Sequence, residues 1–184
     1  MFMWPDAAAR WQDGVLLIGL RHAPGTARDM ARVRVRQAVS EALQQLLEVP
    51  GAHIDVHSPA GQTPRIHVPG YRGAGLSISH DGDFSVAAVH VHGPVGVDVM
   101  AVQEIADWRG VASDYMGPQV MARLCAATPA QRTQLFTRAW CEHEARLKCE
   151  GLGLSEWSAQ TPRATRIHVL ALPAMLVGAL AVPA

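Results

Sequence analysis

Apolar residues along this 184-residue chain fall into two rhythms, and the change of rhythm marks where strands give way to helices. Short apolar runs have the length of buried strands: GVLLIGL (14–20), FSVAAVHV (84–91), PVGVDVM (94–100), RIHVLAL (166–172) and MLVGALAV (175–182). Residues 28–47 instead place Val35, Val39, Ala42, Leu43, Leu46 and Leu47 at three- and four-residue steps, which predicts a helix that Pro50-Gly51 stops. A second helix is predicted from 128 to 150. Thr128 can cap it, Pro129 fits the first helical position, Gln131 completes a capping box and Gly151 supplies a left-handed stop. The Gly- and Pro-rich stretch from 51 to 75 predicts short strands and turns. LSIS (76–79), FSVAAVHV and PVGVDVM, separated by HDGD and HGP, suit an antiparallel meander.

FSVAAVHV aligns without gaps on MLVGALAV, pairing Val86, Ala88 and Val91 with Val177, Ala179 and Val182. Each run follows a helix-then-strand stretch. The echo predicts an α+β chain of two similar halves, 1–100 and 101–184, packed without a linker as one unit.

Composition narrows this little. About half the residues are apolar, enough for one full core or two small halves sharing one. Sixteen basic and sixteen acidic residues balance, so net charge steers the chain towards neither nucleic acid nor membrane. Cys125, Cys141 and Cys149 form no CxxC pair and are odd in number, which predicts reduced thiols and a cytoplasmic protein. MFMWPDAAARW lacks the basic-then-apolar order of a signal peptide. The apolar C-terminal stretch is shorter than a membrane helix, and Pro173 and Gly178 divide it into two predicted strands.

Two places carry candidate chemistry. In the long helix, Phe136, Trp140, His143 and Leu147 fall on one predicted core face, with Glu144 at its edge between Trp140 and Lys148. A carboxylate there is partly desolvated and needs a cation or a metal, unless it merely pairs with Lys148 on a solvated flank. In PVGVDVM, Val95, Val97 and Val99 point one way, and Gly96, Asp98 and Met100 the other. Asp98 then projects from a rigid strand beside a glycine that leaves room for a ligand, or else caps a turn at a sheet edge. Magnesium takes one or two carboxylates together with phosphate oxygens and water. Ser79 and His80 could offer hydrogen bonds to a phosphate. His90 and His92 form an HxH pair with no third ligand nearby in sequence, and are read as surface or strand-edge residues.

Taken in order, SISHDG, GVDVM and WCEHEARLKCEGLGL resemble the motifs of the 4′-phosphopantetheinyl transferase superfamily, with the spacing of its Sfp-like, monomeric, two-half branch. The family patterns are G-(I/V)-D-(I/V)-E and W-x-x-K-E-(A/S)-x-x-K. The resemblance implies two α+β halves related by a pseudo-twofold, with coenzyme A in the cleft between them. It implies transfer of the phosphopantetheine arm to a serine of an acyl or peptidyl carrier protein, releasing 3′,5′-adenosine bisphosphate. By the same resemblance Asp98 and Glu144 are Mg2+ ligands, Glu144 is the candidate base, and Lys148 holds the pyrophosphate. Ser79, His80, Arg36 and Arg65 are coenzyme A contacts.

Two positions depart from the family. Met100 stands where the pattern has glutamate, and a thioether does not replace a hard oxygen ligand. His143 stands where it has lysine. These departures motivate an alternative, a catalytically weakened homologue that binds coenzyme A or a carrier protein.

Overall fold

The computed structural model describes residues 2–49, 54–59, 62–159, 164–173 and 175–184. Alternation along its strands decides how the layers stack. In β6 (Phe84–His90), Phe84, Val86 and Ala88 point to one side, Ala87 and Val89 to the other, and all five are buried. A strand buried on both faces must be covered twice. One cover is the helix α1 (Arg28–Leu47), whose Val35, Ala38, Val39, Ala42 and Leu43 meet Leu16, Ile18, Leu76, Ala87 and Val89. The other is a second sheet, whose Val95, Val97, Val99, Leu180 and Val182 meet Phe84, Val86 and Ala88. The outer face of that sheet is covered by the long helix α4 (Pro129–Glu150), through Cys141, Ala145 and Cys149 against Ala179 and Ala181. The layers therefore run helix, sheet, sheet, helix.

The first sheet has the order β1-β2-β6-β5. Here β1 (Phe2–Met3) is parallel to β2 (Val15–Arg21), and both β2 and β5 (Gly75–Asp81) are antiparallel to β6. A two-stranded hairpin, β3 (Asp55–His57) with β4 (Arg65–His67), lies between α1 and β5 in the chain. The second sheet is β7-β9-β8, all antiparallel, built from β7 (Gly96–Ala101), β8 (Thr165–Val169) and β9 (Leu176–Pro183). Both sheets repeat one plan: a strand, a helix, a strand at the opposite edge, then a strand returning to the middle. The echo between FSVAAVHV and MLVGALAV is this plan read in sequence, because β6 and β9 are the two middle strands. Between β7 and α4 the chain folds a small helical cap of α2 (Trp108–Val111), a π-helical turn (Ala112–Met116) and α3 (Pro118–Ala126). The cap packs Ala112, Met116 and Leu124 around Phe136 of α4.

Both predicted helices recur, and so does the stop of the second. The capping box of Thr128 and Gln131 is formed, and Gly151 closes α4 at φ 69°. The helix α1 ends with Glu48 in the left-handed region, and the Pro50-Gly51 stop lies outside the described residues. Pro173 lies in the turn between β8 and β9, as expected, with Leu176 N–H donating to its carbonyl.

Three expectations change. The meander stops after two strands: β5 and β6 pair, but β7 leaves for the second sheet and pairs with β9. The chain thus passes from the first sheet to the second before Gly96. Secondly, Gly96 makes room for a helix and not for a ligand. A Cβ built there would lie 1.8 Å from the Ala145 carbonyl oxygen and 2.5 Å from the Cys149 amide nitrogen. Thirdly, the face of α4 on the sheet is the small stripe Cys141, Ala145 and Cys149. That close approach excludes larger side chains, so Phe136 and Trp140 pack against the helical cap instead. Cys141 and Cys149 are buried thiols and Cys125 is exposed, with no disulfide among them.

Candidate active site

Strands β5 and β7 lie side by side at the junction of the two sheets, yet no backbone pairing joins them. Alternate side chains of β5 take over the role of a ladder. The Val97 amide donates to Ser77 Oγ at 2.9 Å, the Val99 amide to Ser79 Oγ at 3.3 Å, and the Ala101 amide to Asp81 Oδ2. Period two on both strands makes this register possible, since residues 77, 79 and 81 all face β7. Buried backbone donors need partners, so polar side chains are required here in an otherwise apolar neighbourhood.

The seam also fixes Asp98. Its carboxylate, on a residue only 7 % exposed, accepts from Ser79 Oγ at 2.8 Å and from Lys148 Nζ at 2.6 Å, both through Oδ1. Lys148 also donates to the Val97 carbonyl at 3.2 Å. Sequence positions 50 residues apart meet because α4 lies on β7 where Gly96 admits it. Ser79 thus acts as a donor to Asp98 and an acceptor for β7, a place that its sequence neighbourhood did not reveal.

One cleft, with a volume of about 500 Å³, collects these groups. Its wall includes Ser79, His80, Asp98, Glu144 and Lys148, five of the residues singled out from the sequence, together with Met100 and Trp140. Glu144 is half-buried, and burial raises its pKa. Lys148 opposes that rise and the Asp98 charge adds to it. The last effect places the two carboxylates within electrostatic reach of each other. Trp140 is a half-buried wall of the cleft, stacked at 6.4 Å on Phe136 and edge-on at 6.1 Å to Tyr115. That resolves the conflict of a carboxylate beside a buried tryptophan.

The remaining candidates lie elsewhere. Arg36 turns towards the hairpin side and donates to the Ser58 carbonyl at 3.3 Å, and exposed Arg65 sits on β4; neither lines the cleft. One and two turns earlier on α1, Arg32 and Arg28 do line it, as does Asp81 of β5. The basic first half of α1 was legible in the sequence, but which of its arginines reach the cleft depends on the angle at which the helix crosses the sheet. His143 lines a different cavity, with Arg123, Arg146 and Trp157, on the other flank of α4, and its Nε2 is buried without a partner among the described residues. Its departure from the family pattern therefore does not alter the wall of this cleft. His90 bonds the Pro94 carbonyl and lies edge-on to His92, and no group of three metal-ligating side chains forms among the described residues.

The segment that builds most of the cleft carries a likeness to one family. Residues 94–171, which include β7 and all of α4, match the family model described as the 4′-phosphopantetheinyl transferase superfamily. The resemblance read from the three motifs holds at that level, and the mixed helical and antiparallel fold agrees with it. Among individual relatives, the chain is 31 % identical over 76 residues to the 4′-phosphopantetheinyl transferase AcpT of Escherichia coli K12, covering 41 % of this chain and 39 % of AcpT. It is 28 % identical over 80 residues to a Synechocystis protein provisionally named as a 4′-phosphopantetheinyl transferase, slr0495, covering 44 % of this chain and 32 % of that protein. The matches thus span between a third and two-fifths of the length of these relatives.

Proposed function

We propose that this protein transfers the 4′-phosphopantetheine arm of coenzyme A to a serine hydroxyl of an acyl or peptidyl carrier protein in the cytoplasm, with Mg2+ as the metal. The observation that carries the reading is the convergence of Asp98, Glu144 and Lys148 with His80, Arg28 and Arg32 on one cleft. Two hard carboxylates flanked by four potential phosphate donors suit a diphosphate and a divalent ion. The donor set fits Mg2+ in particular, which is held by one or two carboxylates and completed by phosphate oxygens and water. A protein cage of three or more ligands is not required. Asp98 and Glu144 would hold the ion, which when bound supplies charge neutralisation at the pyrophosphate.

The chain's own residues account for the rest. Lys148, already held beside Asp98, carries the positive charge that steadies the diphosphate. Arg28 and Arg32 draw the phosphate groups to the mouth of the cleft. Glu144, whose pKa is raised by burial, accepts the proton of the carrier serine as its oxygen attacks the phosphorus next to the pantetheine arm. The new phosphoester bond forms as the phosphoanhydride bond breaks, and 3′,5′-adenosine bisphosphate leaves with the electron pair.

Met100, on the wall of the cleft where the family pattern has glutamate, favours a second reading: a weakened homologue that binds coenzyme A or a carrier without efficient transfer. One assay separates the two. Apo carrier protein, coenzyme A and Mg2+ are incubated with the protein and the carrier is weighed by mass spectrometry. A gain of one phosphopantetheine, lost in Asp98→Ala and Glu144→Ala variants of unchanged circular dichroism, is the expected result. No gain across several carriers, with coenzyme A still bound, supports the second reading. Transfer at wild-type rate by either variant removes the site assignment.

A further inference from the structure

Behind the cleft lies a buried chain of three polar side chains that the reaction as described does not use. Ser85 of β6, 0 % exposed, places its Oγ 2.6 Å from His22 Nε2 and 2.5 Å from His80 Nδ1. His22, 4 % exposed, follows β2, and its backbone amide is tied to the Asp83 carbonyl. His80 lines the cleft, and its second ring nitrogen, Nε2, makes no hydrogen bond among the described residues. We infer that Ser85 and His22 are positioning residues that lock His80 as the Nε2–H tautomer, an uncharged hydrogen-bond donor aimed at a phosphate-bearing ligand.

The protons available fix the tautomers. A serine hydroxyl has one hydrogen and cannot donate to two ring nitrogens at once. Nor do both nitrogens donate to it, because the hydroxyl hydrogen of fully buried Ser85 would then have no acceptor among the described residues. With both rings neutral, one nitrogen therefore donates to Oγ and the other accepts from it. Both rings are held neutral. Burial depresses His22, aided by Arg34 and opposed by Asp83. Burial also pulls His80 down to about 4, reinforced by His22, by Arg28 and Arg32 of α1 and by Lys148 of α4. Two arrangements then remain, and His22 Nδ1 decides between them, since it is buried and has no partner among the described residues. If Ser85 donated to His22, the His22 proton would sit on Nδ1 as an orphaned buried N–H, which proteins rarely tolerate. In the opposite direction, His22 Nε2–H donates to Ser85, Ser85 donates to His80 Nδ1, and the orphan is only a bare acceptor. The His80 proton is then on Nε2, the nitrogen left to the cleft.

The chemical consequence is specific. In a cleft already carrying Arg28, Arg32 and Lys148, a fourth cation would be costly without a ligand bound. A neutral imidazole avoids that repulsion yet still donates one hydrogen bond to an anionic oxygen. A histidine without the relay would divide its population between tautomers, and the Nε2-bare form would face a phosphate oxygen with a lone pair.

The inference rests on the cleft being a phosphate site, and its test separates the two ideas. Long-range 1H–15N spectra of the full chain, uniformly 15N-labelled and free of ligand, read the histidine tautomers directly. The expected result is a single neutral Nε2–H form for His80 at neutral pH. The same form should persist in Ser85→Thr and give way to a tautomer mixture in Ser85→Ala. Coenzyme A binding by calorimetry should weaken roughly fivefold in Ser85→Ala, the worth of one ordinary hydrogen bond, and recover in Ser85→Thr. A wild-type His80 that is Nδ1–H or imidazolium overturns the relay without any variant having to fold. So does a Ser85→Ala tautomer identical to wild type. A correct tautomer combined with no coenzyme A binding leaves the relay standing and removes the proposed function instead.

Discussion

The contact between Lys148 and Asp98 can be tested apart from any reaction. Asp98 Oδ1 holds a 2.6 Å bond from Lys148 Nζ, with the lysine side chain 30 % and the aspartate side chain 10 % exposed. Lys148→Met keeps the length and apolar stem of the side chain and removes its charge. The Asp98 carboxylate is left with Ser79 as its one remaining donor among the described residues, and the Val97 carbonyl loses Lys148. Breaking a fully buried ion pair from one side costs about 3–5 kcal/mol. Here the lysine is partly in water, which can reach the vacated place, so about 2–3 kcal/mol is the reasoned loss. For a chain of this size that corresponds to a fall in Tm of roughly 5–10 °C. Adding Asp98→Asn removes the stranded charge, so the double variant should be more stable than Lys148→Met alone by about 1–2 kcal/mol. Urea denaturation of the wild type, both single variants and the double variant at neutral pH measures all four corners. A Lys148→Met stability within about 0.5 kcal/mol of wild type would refute the reasoning, because Asp98 would then not depend on this lysine. Simple additivity of the two single losses would refute it equally.

Two further expectations concern the helix and its glutamate. Gly96→Ala should be among the most damaging single-methyl additions in the chain, about 3 kcal/mol or more, since the new Cβ meets the backbone of α4 at Ala145 and neither strand nor helix can yield; an m-corrected denaturation midpoint close to wild type would show that α4 is not seated on β7 as described. Glu144 has a folded pKa raised above its unfolded value, so ionising it costs stability; that cost is absent in acid and grows as pH rises from the unfolded glutamate value through the folded one. Glu144→Gln should therefore stabilise the ligand-free protein at neutral pH, with the gain fading below the unfolded glutamate pKa; a gain that is independent of pH, or that grows in acid, contradicts the assigned direction.

How far the site was legible can be argued residue by residue. Asp98 stood out because an acid in an apolar strand needs a reason, and Glu144 and Lys148 because they sit four apart on a helix with a recognisable start and stop. Those inferences use only near neighbours in the chain. Ser85 gave no such signal: a serine in FSVAAVHV reads as a small strand residue, and its importance comes from His22, just past β2, and His80, on β5, which approach it from opposite sides of β6. Arg28 and Arg32 were visible as charge but indistinguishable from Arg34 and Arg36 until the helix had a direction. The core face of α4 was misassigned for a related reason. Trp140 and Phe136 outrank Cys141 and Ala145 on any scale of hydrophobicity, yet the sheet lies too close for rings.

The sequence by itself determined what depends on local spacing: the strands and helices, their caps, the repeated strand in each half, and the acid, lysine and histidine that carry the motifs. The tertiary structure alone decided what depends on distance across the chain. It sent β7 to the second sheet, replaced a backbone ladder with the side chains of Ser77, Ser79 and Asp81, and chose which face of α4 meets the strands. The physical reason is that dihedral preference and periodicity are properties of neighbouring residues, whereas a close approach such as that of Gly96 to Ala145 is set by the shapes of two surfaces that meet only once the whole chain has folded.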